Sequence, residues 1–250
     1  MDRMIEICCG SAEDGYLAWQ AGARRIEMNC ALTLGGLTPS TGSVELIKKK
    51  TDLKVIAMLR PRGGGFQYSD IDFQQMLVDA VRLLDAGADG ITFACLTDKG
   101  ELDLAQVKTM VDLIHGYKGC EAVINRGFDM VADPCFTLGS LAFLKVDRVL
   151  TSGGKATAWE GREVIKAMQQ AYGDQVQILA AGGVTASNVK KIMDYTGISQ
   201  VHCSAAVHGY RYDPTTIKGE TSYSYLTGKH AMQYAVIDPD KVEEIIKAAS

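Results

Sequence analysis

Ile-Glu-Ile-Cys-Cys-Gly, at positions 5–10, is a short apolar run that carries a carboxylate, ends in glycine and gives way to a helical pattern. Seven more runs of this kind follow: Ile-Glu-Met-Asn-Cys (26–30), Met-Leu-Arg-Pro-Arg-Gly-Gly-Gly (58–65), Thr-Phe-Ala-Cys-Leu (92–96), Ile-Asn-Arg-Gly-Phe-Asp (124–129), Leu-Thr-Ser-Gly-Gly (150–154), Ala-Ala-Gly-Gly-Val (180–184) and Val-His-Cys-Ser-Ala (201–205). Continuous apolar strands alternating with helices imply a parallel sheet covered on both faces. Such a strand has no reason to carry Glu or Arg unless that end opens into a site. An open, doubly wound sheet is one arrangement of these units; eight of them favour closure into a single-domain (β/α)8 or TIM barrel over 1–250.

The pattern predicts helices over about 11–21, 41–50, 70–86, 103–117, 133–145, 157–172, 185–196 and 239–249. Ser11 stands three residues before Asp14, Ser69 three before Asp72 and Thr185 three before Asn188, all cap-like spacings. Gly22, Gly87, Gly173 and Gly197 stand where helices should stop. The stretch 207–237, rich in Tyr, Thr, Gly and Lys, reads as an irregular loop after the eighth strand, on the face where barrel sites form.

With 250 residues, 47% of them hydrophobic, the chain can bury a large core. A net charge of -4 and the lack of a basic stripe argue against nucleic acid as a partner. No apolar run has the length of a membrane span. The first residues enter a charged strand pattern instead of a secretory signal. Seven cysteines without a CxxC, mostly in or near strands, predict buried thiols in a reducing, cytoplasmic setting.

Side chains alternate faces along a strand, so parity separates helix-facing from barrel-facing residues. Ile5 and Ile7 share one face, which leaves Glu6 and Cys8 inward; in the second strand Glu27 and Asn29 point inward and Cys30 outward. Arg60 and Arg62 share parity in the third run, and His202 and Ser204 in the eighth. Carboxylates and arginines in one mouth can form a pocket for a small anionic ligand, phosphorylated or carboxylated, with Arg as clamp and a carboxylate as acid or base. They can equally form an ion-pair network that plugs the barrel. The pocket reading makes Glu6, Glu27, Arg60, Arg126 and Asp129 the catalytic candidates. Ligand-holding candidates are Arg62, Ser152, Gly182, Gly183, His202 and Ser204, because glycine turns after the sixth to eighth strands present backbone N–H groups where barrels hold phosphate. His202 is the one histidine in a strand pattern and can also be a satisfied core group. Vicinal Cys8 and Cys9 point to opposite faces, so the pair cannot easily grip one ion, and Cys8 alone faces in.

These residues resemble the CutC family of copper homeostasis proteins. The matching stretches are Glu6-Ile-Cys-Cys9, Arg25-Ile-Glu27, Gly35-Gly-Leu-Thr-Pro-Ser40, Arg60-Pro-Arg-Gly-Gly64 with Phe66 and Tyr68-Ser-Asp70, Arg126 with Phe128-Asp-Met130, Arg148-Val-Leu-Thr-Ser-Gly153, and His202-Cys-Ser-Ala205. The resemblance implies a cytoplasmic TIM barrel, assembled as a homodimer or larger homo-oligomer and linked to copper handling. It also implies Cu(I) ligands from cysteines at the first two strand ends, here Cys8 and, displaced by one residue, Cys30. The chain departs from the family pattern at three polar positions. Asn29 stands where relatives carry an inward cysteine, Asn125 where they carry histidine, and Gly65 where they carry aspartate. Asn125 cannot act as a general base, and the three changes together suggest altered or lost chemistry at this mouth.

Overall fold

In the computed structural model, which describes residues 3–224 and 226–250, the eight apolar runs close into a parallel barrel in sequence order. The strands are β1 (Met4–Cys9), β2 (Arg25–Met28), β3 (Lys54–Met58), β4 (Gly90–Phe93), β5 (Glu121–Ile124), β6 (Arg148–Thr151), β7 (Gln177–Ala180) and β8 (Gln200–Cys203). Closure comes from β1 pairing with both β2 and β8, so that Glu6 sits opposite His202 and Cys8 opposite Glu27. That register joins three polar strand ends into one patch.

The alternation read from sequence holds strand by strand. Ile5, Ile7, Ile26, Met28, Val55, Ala57, Ile91 and Phe93 face the helices and belong to the main core. Inward-facing Ile56, Val123, Leu150, Leu179 and Ala181 form a second apolar cluster inside the barrel. Two packed layers, one inside and one outside the sheet, account for strands buried on both faces.

Among the described residues, eight α-helices cover the barrel: α1 (Ala12–Gln20), α2 (Thr41–Lys50), α3 (Asp70–Asp85), α4 (Leu104–His115), α5 (Pro134–Phe143), α6 (Arg162–Tyr172), α7 (Val189–Thr196) and α8 (Pro239–Ala249). Ser11 caps α1 by accepting from the Asp14 amide, and Ser69 with Asp72 forms a full capping box on α3. Two helices start later than their sequence pattern suggests. Residues 157–161 form a turn in which Thr157 and Glu160 bond each other's backbone, so α6 begins at Arg162. At 185–188 the cap works in the opposite sense, with Asn188 accepting from the Thr185 amide, and α7 begins at Val189.

The stretch read as an irregular loop contains two antiparallel ladders. Strands β9 (His208–Tyr212) and β12 (Gln233–Ile237) pair, and β10 (Ile217–Lys218) pairs with β11 (Thr221–Ser222) between them. Alternation there was obscured by glycines and by tyrosines exposed on both faces. Tyr225 within this stretch, like Met1 and Asp2 at the start of the chain, lies outside the described residues. Among the described residues no helix is long and apolar enough to cross a membrane.

Candidate metal centre

Three neighbouring strands deliver the site. β1 supplies Glu6 and Cys8, β2 supplies Glu27 with Asn29 just beyond its end, and β8 supplies His202. All five residues are buried. The Cys8 thiol, the Glu27 carboxylate and the His202 ring offer ligand atoms that all lie within 4.8 Å of one another. The cluster lines a cavity of about 250 Å³ at the C-terminal mouth, together with Met58, Phe66, Asn125, Arg126, Gly182 and Ser204 among others.

Each group is held from a different side. Nδ1 of His202 is 2.9 Å from Glu6 Oε1, while its Nε2 faces Glu27 Oε2 at 4.0 Å. The Asn29 amide donates to Glu27 Oε2 at 2.9 Å and lies 3.6 Å from the Cys8 sulfur. Cys8 Sγ is 3.8 Å from the same Glu27 oxygen. Below them, Arg25 Nε lies 2.7 Å from Glu6 Oε2, off the line of a good hydrogen bond but well inside ion-pair range. Arg148 Nη1 approaches Glu6 at 3.9 Å and its Nη2 bonds Glu121 at 2.8 Å.

Burial and charge set the protonation of this group in opposite directions. Burial pushes the Glu6 carboxyl up, but the Arg25 charge, the hydrogen bond from His202 and Arg148 outweigh it and hold Glu6 down at about 2. Burial raises Glu27, and His202 and Asn29 only partly offset that. Burial works to strip the proton from His202, yet the Glu27 charge and the hydrogen bonds to Cys8 and Glu6 prevail and hold its ring protonated well above the usual histidine range. Burial also lifts the Cys8 thiol, against the pull of His202. An incoming soft metal would therefore displace protons from Cys8 and His202.

The other sequence-derived candidates divide by what the tertiary structure does with them. Arg60 also lines the cavity, where its guanidinium donates to the carbonyls of Leu34 (3.0 Å), Gly36 (3.1 Å) and Gly64 and lies over the Phe66 ring at 5.0 Å. It ties the loops after β2 and β3 across the mouth. Gly36 makes this loop possible, because it sits at φ +85° and a Cβ there would come within 2.4 Å of Asn29 Oδ1. Arg62 is outside the cavity, paired with Asp72 at 3.0 Å and lying over Tyr68. Arg126 reaches the rim beside Gly182, with its guanidinium bonded to Asp129 (2.8 Å) and Ser152 (2.9 Å).

Asp129 is a scaffold group: its carboxylate accepts from the Thr151 hydroxyl, the Ser152 amide and hydroxyl, and the Gly154 amide, which shapes the loop after β6. Gly183 packs on Thr157 and passes its carbonyl to Asn188, while Ser204 lines the cavity. Cys30 is not in the Cys8 cluster; its thiol bonds the Thr38 carbonyl at 3.1 Å, as outward parity requires. Asn125 caps the turn that follows β5 by accepting from the Gly127 amide at 2.9 Å.

Sequence reasoning passed over Arg25 and Arg148. Arg25 shares parity with Glu27 and so was legible as inward, whereas nothing local marked Arg148 as the partner of a carboxylate five strands away. Met58 lines the same cavity.

The donor chemistry suits a soft or borderline metal. A thiolate and an imidazole nitrogen are ligands favoured by Cu(I) and Zn(II), whereas an all-oxygen set would indicate Mg(II) or Ca(II). Cys8 and His202 fit that requirement, and Glu27 can serve as a third donor or as compensating charge.

Comparison with known proteins bears on the chain's family and fold. The CutC family profile matches residues 3–207. A CutC family protein of Treponema denticola is 42% identical over 219 residues, covering 88% of this chain and 87% of that protein. The copper homeostasis protein cutC homolog of Homo sapiens is 36% identical over 203 residues, covering 81% of this chain and 73% of that protein. Among solved structures, a CutC from Streptococcus agalactiae superposes with a TM-score of 0.74 at 27% identity, covering 80% of this chain and 97% of that one. The N-(5'-phosphoribosyl)anthranilate isomerase of Pyrococcus furiosus shares the fold alone, with a TM-score of 0.60 at 15% identity over 99% and 98% of the two chains.

Proposed function

The chain belongs to the CutC family, and on that premise we propose that it serves copper homeostasis by holding Cu(I) at the β8–β1–β2 side of its barrel mouth. The observation that carries this reading is the buried Cys8–Glu27–His202 cluster. Cys8 supplies the soft thiolate and His202 the second donor through Nε2. Glu27 balances charge, held in place by Asn29. Copper is here the cargo, and the chain's own residues determine its binding: they select a soft ion, exclude bulk water by burial and take up or release protons as it exchanges.

A small anionic metabolite finds less purchase at this mouth. Arg60 is engaged by three backbone carbonyls, Arg126 by Asp129 and Ser152, and Arg62 lies outside the cavity. Seven unpaired cysteines support a reducing, cytoplasmic setting. Assembly as a homodimer or larger homo-oligomer is supported by exposed Phe136, Phe143 and Met130 on and beside α5, a helix without a single charge.

Titration with Cu(I) against a strong chromophoric chelator, under anaerobic reducing conditions, tests the copper reading. One equivalent should bind, and Cys8→Ser should abolish it. No stoichiometric binding, or binding indifferent to Cys8→Ser, removes the proposal.

A further inference from the structure

We infer that Glu6 is a positioning residue that presents Nε2 of His202 to the metal, and that the buried arginines beneath it serve the same purpose. The inference rests on the copper reading and deepens it. An imidazole coordinates through one nitrogen, and the partner of the other nitrogen decides which. Here that partner is Glu6, whose Oε1 stands 2.9 Å from Nδ1. An ionised carboxylate only accepts, so Nδ1 carries the hydrogen and Nε2 is left on the far side of the ring, facing Glu27 and Cys8.

Glu6 is itself immobilised. Arg25 holds its second oxygen at 2.7 Å, and Arg148 stands 3.9 Å away. Arg25 is anchored by Gln200 at 2.7 Å, and Arg148 by Glu121 at 2.8 Å and Gln177 at 3.2 Å. The strand register adds a further constraint, because Glu6 and His202 are direct partners across the β1–β8 pair. An ion pair serving stability alone would need only the arginine contacts. The other carboxylate oxygen is set on the ring nitrogen that points away from Cys8 and Glu27. The chain of contacts from Glu121 through Arg148 and Glu6 to His202 thus connects the floor of the barrel to the ligand at its mouth.

The test compares Glu6→Gln, which keeps size and a hydrogen-bond acceptor, with Glu6→Leu, which keeps only size, both in the full chain. Two quantities are read: Cu(I) affinity by chelator competition, and the protonation of each His202 ring nitrogen by nitrogen-15 NMR, with and without Cu(I). In the parent, Nδ1 should stay protonated throughout and Nε2 should shift when Cu(I) is added. Glu6→Leu should weaken Cu(I) binding by roughly 10–100-fold, the usual range for loss of a ligand-orienting partner, and Glu6→Gln should restore most of it. Cu(I) on Nδ1, or an affinity in Glu6→Leu equal to the parent's, overturns the inference while leaving the copper reading intact. If Glu6→Leu does not fold, the nitrogen assignment in the parent decides alone. A parent that binds no Cu(I), or binds it regardless of Cys8, overturns both.

Discussion

The inside of the barrel has two unlike halves. From β3 to β7 the inward positions nearer the middle of the barrel hold Ile56, Val123, Leu150, Leu179 and Ala181, an apolar cluster above the Arg148, Glu121 and Gln177 contacts at the floor. Across β8, β1 and β2 the equivalent positions hold His202, Glu6, Cys8, Arg25 and Glu27, tied together by ion pairs and hydrogen bonds. The backbone geometry is the same on both sides, and only the residue types at inward parity differ. The apolar half stabilises through burial and close packing. On the polar half, desolvated charges gain little net stability, and their arrangement makes sense as the support of a reactive group.

Four changes probe that division, the first three from large effect to small. Arg25→Met on the polar side should destabilise by about 3–5 kcal/mol, because it strips a buried carboxylate of a partner, and should also weaken Cu(I) binding. Leu179→Ala on the apolar side should cost about 2–4 kcal/mol in denaturant unfolding, as a truncated core leucine does, with Cu(I) affinity unchanged. Equal losses of affinity in the two variants would dissolve the distinction between the halves. Asn29→Cys puts a thiol at the family position beside Cys8, and Cu(I) should then bind about tenfold more tightly, about 1.4 kcal/mol, by the same chelator competition. An affinity at or below the parent's would show that the Asn29 amide, through its bond to Glu27, matters more than a second sulfur.

The last change is read as a pH dependence. Glu6 is held at about 2 in the folded chain against 4.5 ordinarily, so folding favours its ionised form. Its contribution is complete above pH 4.5 and disappears as pH falls toward 2. Glu6→Gln should flatten the loss of urea-unfolding stability across that acid window. His202, raised by its carboxylate neighbours, behaves in the opposite sense. Its contribution is whole below the ordinary 6.5 and is lost as pH rises through its elevated folded value. A parent whose acid limb matches that of Glu6→Gln would mean that Arg25 and Arg148 do not hold the carboxylate ionised.

Much of the site was legible because strand parity is strict. Glu6, Cys8, Glu27, Asn29 and His202 could each be assigned inward from a few neighbouring residues. Arginines defeated the same reasoning. Arg60 and Arg126 line the cavity, but their long side chains also reach carbonyls and a carboxylate that the loops bring, partners that sequence parity does not reveal. Asp129, an acid–base candidate by sequence, gathers the loop after β6, a set of contacts visible only once Thr151, Ser152 and Gly154 surround it.

Taken alone, the sequence determined the barrel, its eight units and the inward set Glu6, Cys8, Glu27, Asn29 and His202, because apolar periodicity, turn glycines and strand alternation are local and each is readable within a few residues. Tertiary structure decided who meets whom. Barrel closure brought β8 beside β1, so that a histidine 196 positions away reached Glu6. It made Cys8, Glu27 and His202 one cluster, left Cys30 outside and set two arginines beneath Glu6. Those outcomes depend on register and on the balance between desolvation and pairing of buried charges, quantities that exist only when distant strands have come together.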